Sequence, residues 1–475
     1  MLILAIMEKR SRHCRSFCFT LYLAVFFILS CVPGDALSKA NNPVIPQGSR
    51  LSLNQAVKIA LLNNRTLQRS RLSLSSNNLN VKMQEDKFNI KIIPASFVNY
   101  SAAGDEYWSA SVKFSKKTKV GISGSVTPQV ENNYGTKRMS IGVMLNVPLL
   151  RGLGVESNLD GLHGSWYALE TAKQAHYKQQ DSLVINTVST VYDIINHQKH
   201  MELLGNQIEG LKRHISLTAV KERTGLATAM DMYRAEIRLK EVQNQLTIIE
   251  KKFDSQTDRL KKLLGSSIQG DLTVTASIEY EPISIFLDEA VSIALNNRVE
   301  IEQALRKSTE AQRKVAIARH NILPIVNLKL GYKRYEETES LFLDEEDWIV
   351  SLNGSAELFR SEERTAYELA NINFQQSKID IESSREDIIR EVRAQVNQMK
   401  KRERLIADRG EQLRQAQGKL ELARSKFNHQ LANNFDLLEA QTQRQQVKAD
   451  LLIDTIGYIV DTYRLRSVLG TLIER

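Results

Sequence analysis

One helix-opening pattern occurs twice in this chain of 475 residues, and it constrains the fold more than any other feature. Leu53–Asn63 and Leu287–Asn297 share seven residues without a gap, at a constant offset of 234 positions. Near the end of each half there is a second shared set, at an offset of 205: Asp231, Ala235, Leu264 and Gly265 correspond to Asp436, Ala440, Leu469 and Gly470. Similarity at fixed spacing indicates repeated structural units. The chain is therefore predicted to contain two copies of one unit, each a helix, a β region, a very long helix and a returning helix.

These matches predict the following division of the chain. The first structural repeat covers residues 51–265, with a β region at about 94–150 and a long helical hairpin at about 165–265. A linker at 266–283 separates it from the second repeat at 284–475, whose β region lies at about 324–358 and whose hairpin lies at about 361–470.

The first thirty residues are predicted to be a secretory signal peptide. A basic n-region precedes the apolar run 17–30, which is too short to span a bilayer comfortably. Two cleavage sites fit the pattern. One lies before Cys31, where residues 28–31 resemble a bacterial lipobox, so that Cys31 is a candidate lipidation site ahead of an N-terminal tail at 31–50. The other lies after Ala36, and Cys31 is then only a small residue at the end of the apolar run.

Cysteine use and charge exclude several classes of function. Cys14, Cys18 and Cys31 are the only cysteines, so an exported chain has no disulfide framework. Without residues 1–30 the chain has 60 basic and 54 acidic residues, a formal net charge of +6, and this excess is scattered along the predicted helices and forms no basic stripe. Nucleic acid is therefore not an expected partner.

The helical segments are too long for an ordinary globular domain. Residues 53–91 are predicted to form one helix that ends before Pro94, and residues 165–224 contain no proline and carry apolar residues at helical spacing. Sixty helical residues reach roughly 90 Å. Gly225 is expected to end this helix, and a returning helix with a coiled-coil seam follows. Because the seam is narrow, such hairpins must pack beside one another and beside hairpins of neighbouring copies.

Alternating apolar and polar residues predict β-strands in both halves. The clearest runs are 110–114, 120–126, 139–149, 326–332 and 348–356, and residues 272–276 suit a short extra strand. An acidic stretch between Glu336 and Asp347 is expected to be a solvated loop. Runs of about ten alternating residues in an exported protein suit an outer-membrane barrel. A soluble sandwich is the alternative, but so few strands can close a sheet only by sharing it with other copies of the chain.

In this order and at this duplicated spacing, the motifs resemble the TolC family of outer-membrane efflux proteins over essentially all of residues 51–470. They are the paired helix openings, Val147–Gly152 (VPLLRG) after the first β region, Ala356–Phe359 (AELF) after the second, Gly225-Leu226 with Asp231, and Asp436–Ala440 (DLLEA). The resemblance implies a mainly α fold with a β-barrel portion: a homotrimer, four strands per protomer in a twelve-stranded outer-membrane barrel surrounded by lipid, and a periplasmic α-helical barrel. The first β region is about twenty residues longer than the second, which leaves an extra hairpin-like piece around 110–126.

The same resemblance implies a function and partners. The expected function is a passive exit duct of a tripartite efflux pump or a type I secretion system, carrying small toxic compounds or polypeptides. Its partners would be a periplasmic adaptor and an inner-membrane transporter of the RND, ABC or MFS class. The main rival hypothesis is a soluble periplasmic coiled-coil adaptor or scaffold.

Candidate site residues lie at the two predicted hairpin turns. Asp436 and Glu439 are spaced i, i+3, so both carboxylates project from one helix face. In a threefold ring they would place six acids at one level and favour cations, which the resemblance identifies as the periplasmic constriction. The alternative is a solvated helix start where the macrodipole favours acids. Asp231 lies at the matching level of the first half, and Arg234 replaces the second acid there. An ion pair between Asp231 and Arg234, or a bridge from the first half to Glu439, is expected to help hold the tip closed.

The turn residues themselves are the expected contacts for the adaptor. They are Gly225 and Leu226 in the first turn and Leu431, Ala432, Asn433 and Asn434 in the second.

No enzymatic site is expected. His197 and His200 are spaced i, i+3 but lack a third ligand, and Gly205–Gly210 imitates a P-loop spacing with Leu211 where lysine is required. Asn63 and Asn297 are predicted to pack or cap helices rather than to bind a ligand. The sequence therefore predicts no catalytic, metal or cofactor site.

Overall fold

The computed structural model describes residues 50–100, 106–133, 136–225, 228–265, 272–336, 345–429, 431 and 434–474. The predicted signal peptide, Cys31 and the tail up to residue 49 lie outside these residues. The elements of the first half are β1 (Arg50–Ser52), α1 (Leu53–Asn63), α2 (Arg65–Glu85), β2 (Lys91–Tyr100), β3 (Glu106–Lys117), β4 (Ser123–Asn133), β5 (Thr136–Pro148), α3 (Val155–Asn158), α4 (Asp160–Arg223) and α5 (Ala229–Leu263). Those of the second half are β6 (Thr273–Thr275), α6 (Leu287–Asn297), α7 (Val299–Asn321), β7 (Ile325–Glu336), β8 (Glu345–Ser355), α8 (Ser361–Asn428) and α9 (Asn434–Val468).

The predicted single helix over residues 53–91 is wrong. Two helices, α1 and α2, meet at Asn64, whose Oδ1 accepts hydrogen bonds from the backbone N of Thr66 (2.9 Å) and Leu67 (3.1 Å). Asn64 therefore acts as the N-cap of α2. Pro94 does not end a helix either, because it lies inside β2 at the edge of the sheet, where proline's missing N–H can point away from neighbouring strands.

The break between the paired short helices is the point at which the two repeats correspond in space. In the first half the Nδ2 of Asn64 donates to the carbonyl O of Leu263 (2.9 Å), and in the second the Nη1 of Arg298 donates to the equivalent carbonyl of Val468 (3.3 Å). In each half the shared glycine directly follows the shared leucine, as Leu264-Gly265 and Leu469-Gly470. Different side chains thus hold the same junction between a helix break and the end of a returning helix.

Close approach at this junction explains the repeated glycines. A Cβ on Gly265 would overlap the carbonyl of Asn63, and one on Gly470 would lie 2.9 Å from the carbonyl O of Asn297. Both glycines have positive φ, +70° and +72°. The motifs found at offsets of 234 and 205 therefore meet in the folded chain, and the duplicated unit is confirmed.

The long helices are confirmed as predicted. The helix α4 runs for 64 residues and α8 for 68, and each packs along its returning helix, α5 or α9. In the first hairpin the seam is apolar and contains Leu204, Ile208, Leu211, Val242 and Ile249. The predicted short strand is also present, as β6 paired in parallel with β1. No helix within the described ranges is long and apolar enough to cross a membrane.

All six long strands form one antiparallel sheet in the order β2-β3-β4-β5-β7-β8. The predicted extra piece around residues 110–126 is thus part of a continuous sheet, and β2, which the sequence interpretation assigned to a helix, begins it. Directly paired residues of antiparallel strands point to the same side. One row across the sheet contains only exposed apolar or aromatic residues: Ile92, Phe114, Val126, Val143, Tyr332 and Trp348. A row on the opposite face is mainly polar: Ala95, Ser111, Gln129, Ser140, Tyr335 and Glu345.

Candidate functional site

The first hairpin turn is built by helix-capping chemistry. Gly225 follows the end of α4 with φ +73°, a conformation that favours glycine, and a Cβ there would have open space around it. Thr228 and Asp231 form a capping box: the Oγ1 and backbone N of Thr228 donate to the Asp231 carboxylate (2.7 and 3.1 Å), and the N of Asp231 donates back to the Thr228 Oγ1 (3.3 Å). Leu226 lies outside the described residues.

The Asp231 carboxylate is therefore held by hydrogen bonds from the start of its own helix. The hydrogen bonds from Thr228 hold the pKa of Asp231 below its usual range, and the charge of Arg234 lowers it further. The expected pairing with Arg234 is thus present as an electrostatic influence, while the close contacts of the carboxylate are with Thr228.

The second turn places its acids on the solvent face of α9. Asp436 and Glu439 are exposed, whereas Leu437, between them, and Ala440, directly after Glu439, are buried. The two carboxylates therefore share one face, as the i, i+3 spacing predicts. Leu431 is 77% exposed and its N donates to the Lys426 carbonyl (2.8 Å). Asn434 begins α9, and Ala432 and Asn433 lie outside the described residues.

Glu439 has a partner that sequence reasoning missed. Lys419 of α8 donates from Nζ to Glu439 Oε1 (2.8 Å) and to Gln443 Oε1 (2.9 Å). Both side chains are about half exposed, so solvent screens the pair. Lys419 and Glu439 stand at equal distances in sequence from His429, which is the signal that could have found the pair, since such positions face each other in a helical hairpin.

Arg234 and Glu439 face a common groove of about 830 Å³ between α5 and α9. Its charged lining consists of Arg234, Arg238, Glu241, Arg409, Lys419, Glu439 and Asp450. Arg238 links the two hairpins, because its Nη2 donates to the Thr442 hydroxyl at 3.4 Å. Both walls of this groove carry mixed charge, with Arg234 on the α5 wall and Glu439 on the facing α9 wall.

The remaining candidates do not form a chemical centre. His197 and His200 are half-buried on α4, and burial lowers the pKa of both. Across the described ranges, no cluster of three or more histidine, cysteine or acidic side chains is positioned to hold a metal ion. Asn63 is buried at the repeat junction, as its predicted packing role requires.

Comparisons with known proteins agree with this architecture. Residues 290–471 match the family Outer membrane efflux protein. Outer membrane protein TolC of Salmonella enteritidis is 20% identical over 339 residues, which cover 68% of this chain and 66%, just under two thirds, of TolC.

Solved structures share the fold at low sequence identity. The CusC channel has a TM-score of 0.69 and 14% identity, with 90% of this chain and 96% of CusC covered. The CmeC outer membrane channel of Campylobacter jejuni has a TM-score of 0.68 and 15% identity, with 89% and 86% covered. Residues 290–471 are therefore similar to the family of outer membrane efflux proteins, and the described chain has the fold of the outer-membrane channels CusC and CmeC.

Proposed function

We propose that this protein is a trimeric exit duct that conducts molecules passively through the outer membrane. The observation that carries the proposal is the sheet with one exposed apolar face and one mainly polar face, joined in one chain to two helical hairpins of more than sixty residues. An apolar outer face suits lipid and a polar inner face suits a watery bore. The hairpins have the length to continue that bore across the periplasm.

The proposed cargo is small toxic compounds or secreted polypeptides, in an efflux pump or a type I secretion system. The energy would come from an inner-membrane transporter of the RND, ABC or MFS class, joined to the duct by a periplasmic adaptor. The turns at Gly225 and Leu431 are the proposed adaptor contacts, together with Leu226, Ala432, Asn433 and Asn434. Exposed Leu431 supports this role, because an apolar side chain at a solvent-facing turn suits a protein contact.

The proposed gate consists of Asp436 and Glu439, with Asp231 and Arg234 at the matching level of the first hairpin. The exposure of Asp436 and Glu439 on one face of α9 supports a position on the bore. Three copies would place a ring of carboxylates at one level, which favours cations over anions. Docking of the adaptor would separate the hairpin tips and widen the bore at this level.

Reversal potentials of single channels in planar bilayers test the gate. The double variant Asp436→Ala/Glu439→Ala is expected to lose most of its cation preference. Glu411→Ala is the matched control, because Glu411 is an exposed acid on α8 that is paired with Arg414 far from the turn. An unchanged reversal potential in the double variant would remove both acids from the bore.

Fractionation and oligomer analysis test the duct itself. The chain is expected in the outer-membrane fraction, and to migrate after detergent extraction as a trimer that heating dissociates. A monomer that stays soluble without detergent would favour the rival hypothesis of a periplasmic adaptor or scaffold.

A further inference from the structure

Within the described residues, the two edges of the six-stranded sheet are open along their whole length. The edge strand β2 has ten residues and β8 has eleven, and no other strand among the described residues pairs with their outer sides. Residues 91–99 of β2 are all exposed, and so is nearly all of β8. Each edge therefore offers a row of free backbone donors and acceptors.

These edges have the composition of strands that pair. Natural proteins protect free edges with charges, prolines or very short strands. Here Pro94 is the only proline of the two strands, and their charges are confined to the first residues, Lys91 in β2 and 345–347 in β8. Elsewhere large apolar residues are frequent: Ile92, Ile93, Phe97 and Val98 in β2, and Trp348, Ile349, Val350 and Leu352 in β8. Long apolar edges of this kind require a partner strand.

A second copy of the chain has the right geometry to be that partner. The strand β2 leads away from helix α2, whereas β8 leads back to helix α8, so the two strands run in opposite directions relative to the helices. When β8 of one copy lies beside β2 of the next, the pair is antiparallel, like every other pair in the sheet. The apolar row that begins at Ile92 and ends at Trp348 would then continue into the neighbouring copy.

We propose that three copies join β8 to β2 and close a barrel of eighteen strands, six from each chain. The resemblance to the TolC family implies four strands per chain. If these were β4, β5, β7 and β8, the barrel would close through β4, but both sides of β4 are already paired in this chain, with β3 and with β5. A strand has only two hydrogen-bonding edges, so closure through β4 would require β3 to separate from it. The inference rests on the proposed trimeric duct and adds the number of strands and the pairing surface.

The width of the helical part agrees with this count. At the level next to the sheet, α2, α4, α7 and α8 pack side by side, which gives twelve helices in a trimer. At an interaxial distance of about 9 Å these form a ring of roughly 110 Å circumference. Strands spaced about 4.8 Å apart and tilted by about 40° give about 113 Å for eighteen strands and about 75 Å for twelve. Eighteen strands therefore continue the helical ring without a change of width.

Cysteine cross-linking tests the pairing, and the sequence has no cysteine after Cys31. Ala95→Cys in β2 is combined in turn with Ile349→Cys, Ser351→Cys and Asn353→Cys in β8, since all four positions lie on the polar face of the sheet. Thr127→Cys in β4, on the same face, replaces Ala95→Cys in the matched control set. After oxidation of the purified trimer, at least one Ala95→Cys combination is expected to give covalent oligomers, and no Thr127→Cys combination is.

The outcomes separate this inference from the proposed function. Native mass spectrometry before oxidation reports whether a trimer exists, and a monomer alone would overturn the duct. A trimer that cross-links through position 127, or through neither position, would overturn only the eighteen-stranded barrel. Electron cryomicroscopy of the unmodified trimer in lipid nanodiscs gives the strand count directly, so the inference stays testable if the cysteine variants do not assemble.

Discussion

The two helical hairpins have the same helix arrangement, but different kinds of side chain fill the contact between their paired helices. At matching positions, offset by 205, Leu204 and Ile249 of the first hairpin correspond to Arg409 and Asp454 of the second. Leu204 and Ile249 lie in an apolar cluster, whereas the Nε of Arg409 lies 3.7 Å from an Asp454 oxygen. The same helix pairing therefore tolerates apolar side chains at these positions in one copy and, in the other, ion pairs within an otherwise apolar contact; these ion pairs form the charged seam of the second hairpin.

The charged seam continues toward the sheet. Asp461 is 1% exposed, and its Oδ2 accepts a hydrogen bond from the Nε of Arg402 (2.7 Å). Gly457 lies beneath the Arg402 guanidinium, which a Cβ would overlap. The first-hairpin positions that match Arg402 and Asp461 carry His197 and Gln256. Both halves have the junction at Gly265 or Gly470. This junction, rather than the contact between the long helices, is therefore expected to fix how the helices of each repeat are arranged.

The largest effect is expected from a methyl group added at that junction. Gly265→Ala should lower the free energy of unfolding by about 4 kcal/mol, because it adds a backbone overlap to the strain of a positive φ. Gly470→Ala has more room and should cost about 2 kcal/mol. Gly225→Ala is the control: it has a positive φ but open space, and should cost about 1 kcal/mol. Denaturant midpoints of the detergent-solubilised protein would measure the order, and equal losses at the three positions would contradict the junction's role.

A smaller effect is expected when the charged seam is broken. Asp461→Ala removes the shorter of two acidic contacts of Arg402, which keeps Asp454 at 3.6 Å, and should destabilise the second hairpin by about 2 kcal/mol. The matched change Gln256→Ala removes a neutral side chain from the first hairpin and should cost less than about 1 kcal/mol. Thermal unfolding followed by circular dichroism would compare the two variants. Similar losses of stability in the two variants would show that the Arg402–Asp461 ion pair does not stabilise the second hairpin more than Gln256 stabilises the first.

The comparison also shows what sequence reasoning could reach. The repeats, the long helices, the turn at Gly225 and the alternation of strand faces depend on local spacing, which a sequence displays directly. The break at Asn64 was missed because its neighbours keep helical spacing on both sides. The strand β2 was missed because Pro94 suggested a helix end, whereas the sheet edge accommodates it. The Lys419–Glu439 pair depends on how two helices align across a turn, which periodicity along one helix does not reveal.

One pH-dependent contribution to stability is expected from the first hairpin near its turn. His214 matches Lys419 of the second hairpin, but it is buried, with its ring 5.9 Å from that of Phe427 on α8. Burial, and then the charge of Lys221, hold the pKa of His214 below its ordinary value. The unfolded chain therefore takes up this proton first, near pH 6.5. The stability from neutral His214 is present above that pH and is lost as pH falls toward the folded-state pKa.

The variant His214→Phe isolates this contribution. The unfolding midpoint of the unmodified protein should fall between pH 7.5 and pH 5, and the fall should be smaller in the variant, which cannot be protonated there. His176, His197 and His200 also have pKa values lowered by burial, so part of the dependence should remain. Identical pH profiles would exclude His214 as a source.

Lys419→Gln is expected to have the smallest effect on stability. It tests most directly which of the two hairpin tips sets the ion preference of the bore. An exposed ion pair contributes at most about 1 kcal/mol, so the fold should be nearly unaffected. Glu439 would lose the positive charge 2.8 Å away, so the proposed acidic ring should favour cations more strongly. Arg234→Gln removes a charge from the facing wall without touching that pair, and it should shift bilayer reversal potentials in the same direction by a smaller amount. If only Arg234→Gln changed the reversal potential, the bore would be lined at this level by the first hairpin, and Glu439 would be a residue that holds α9 to α8.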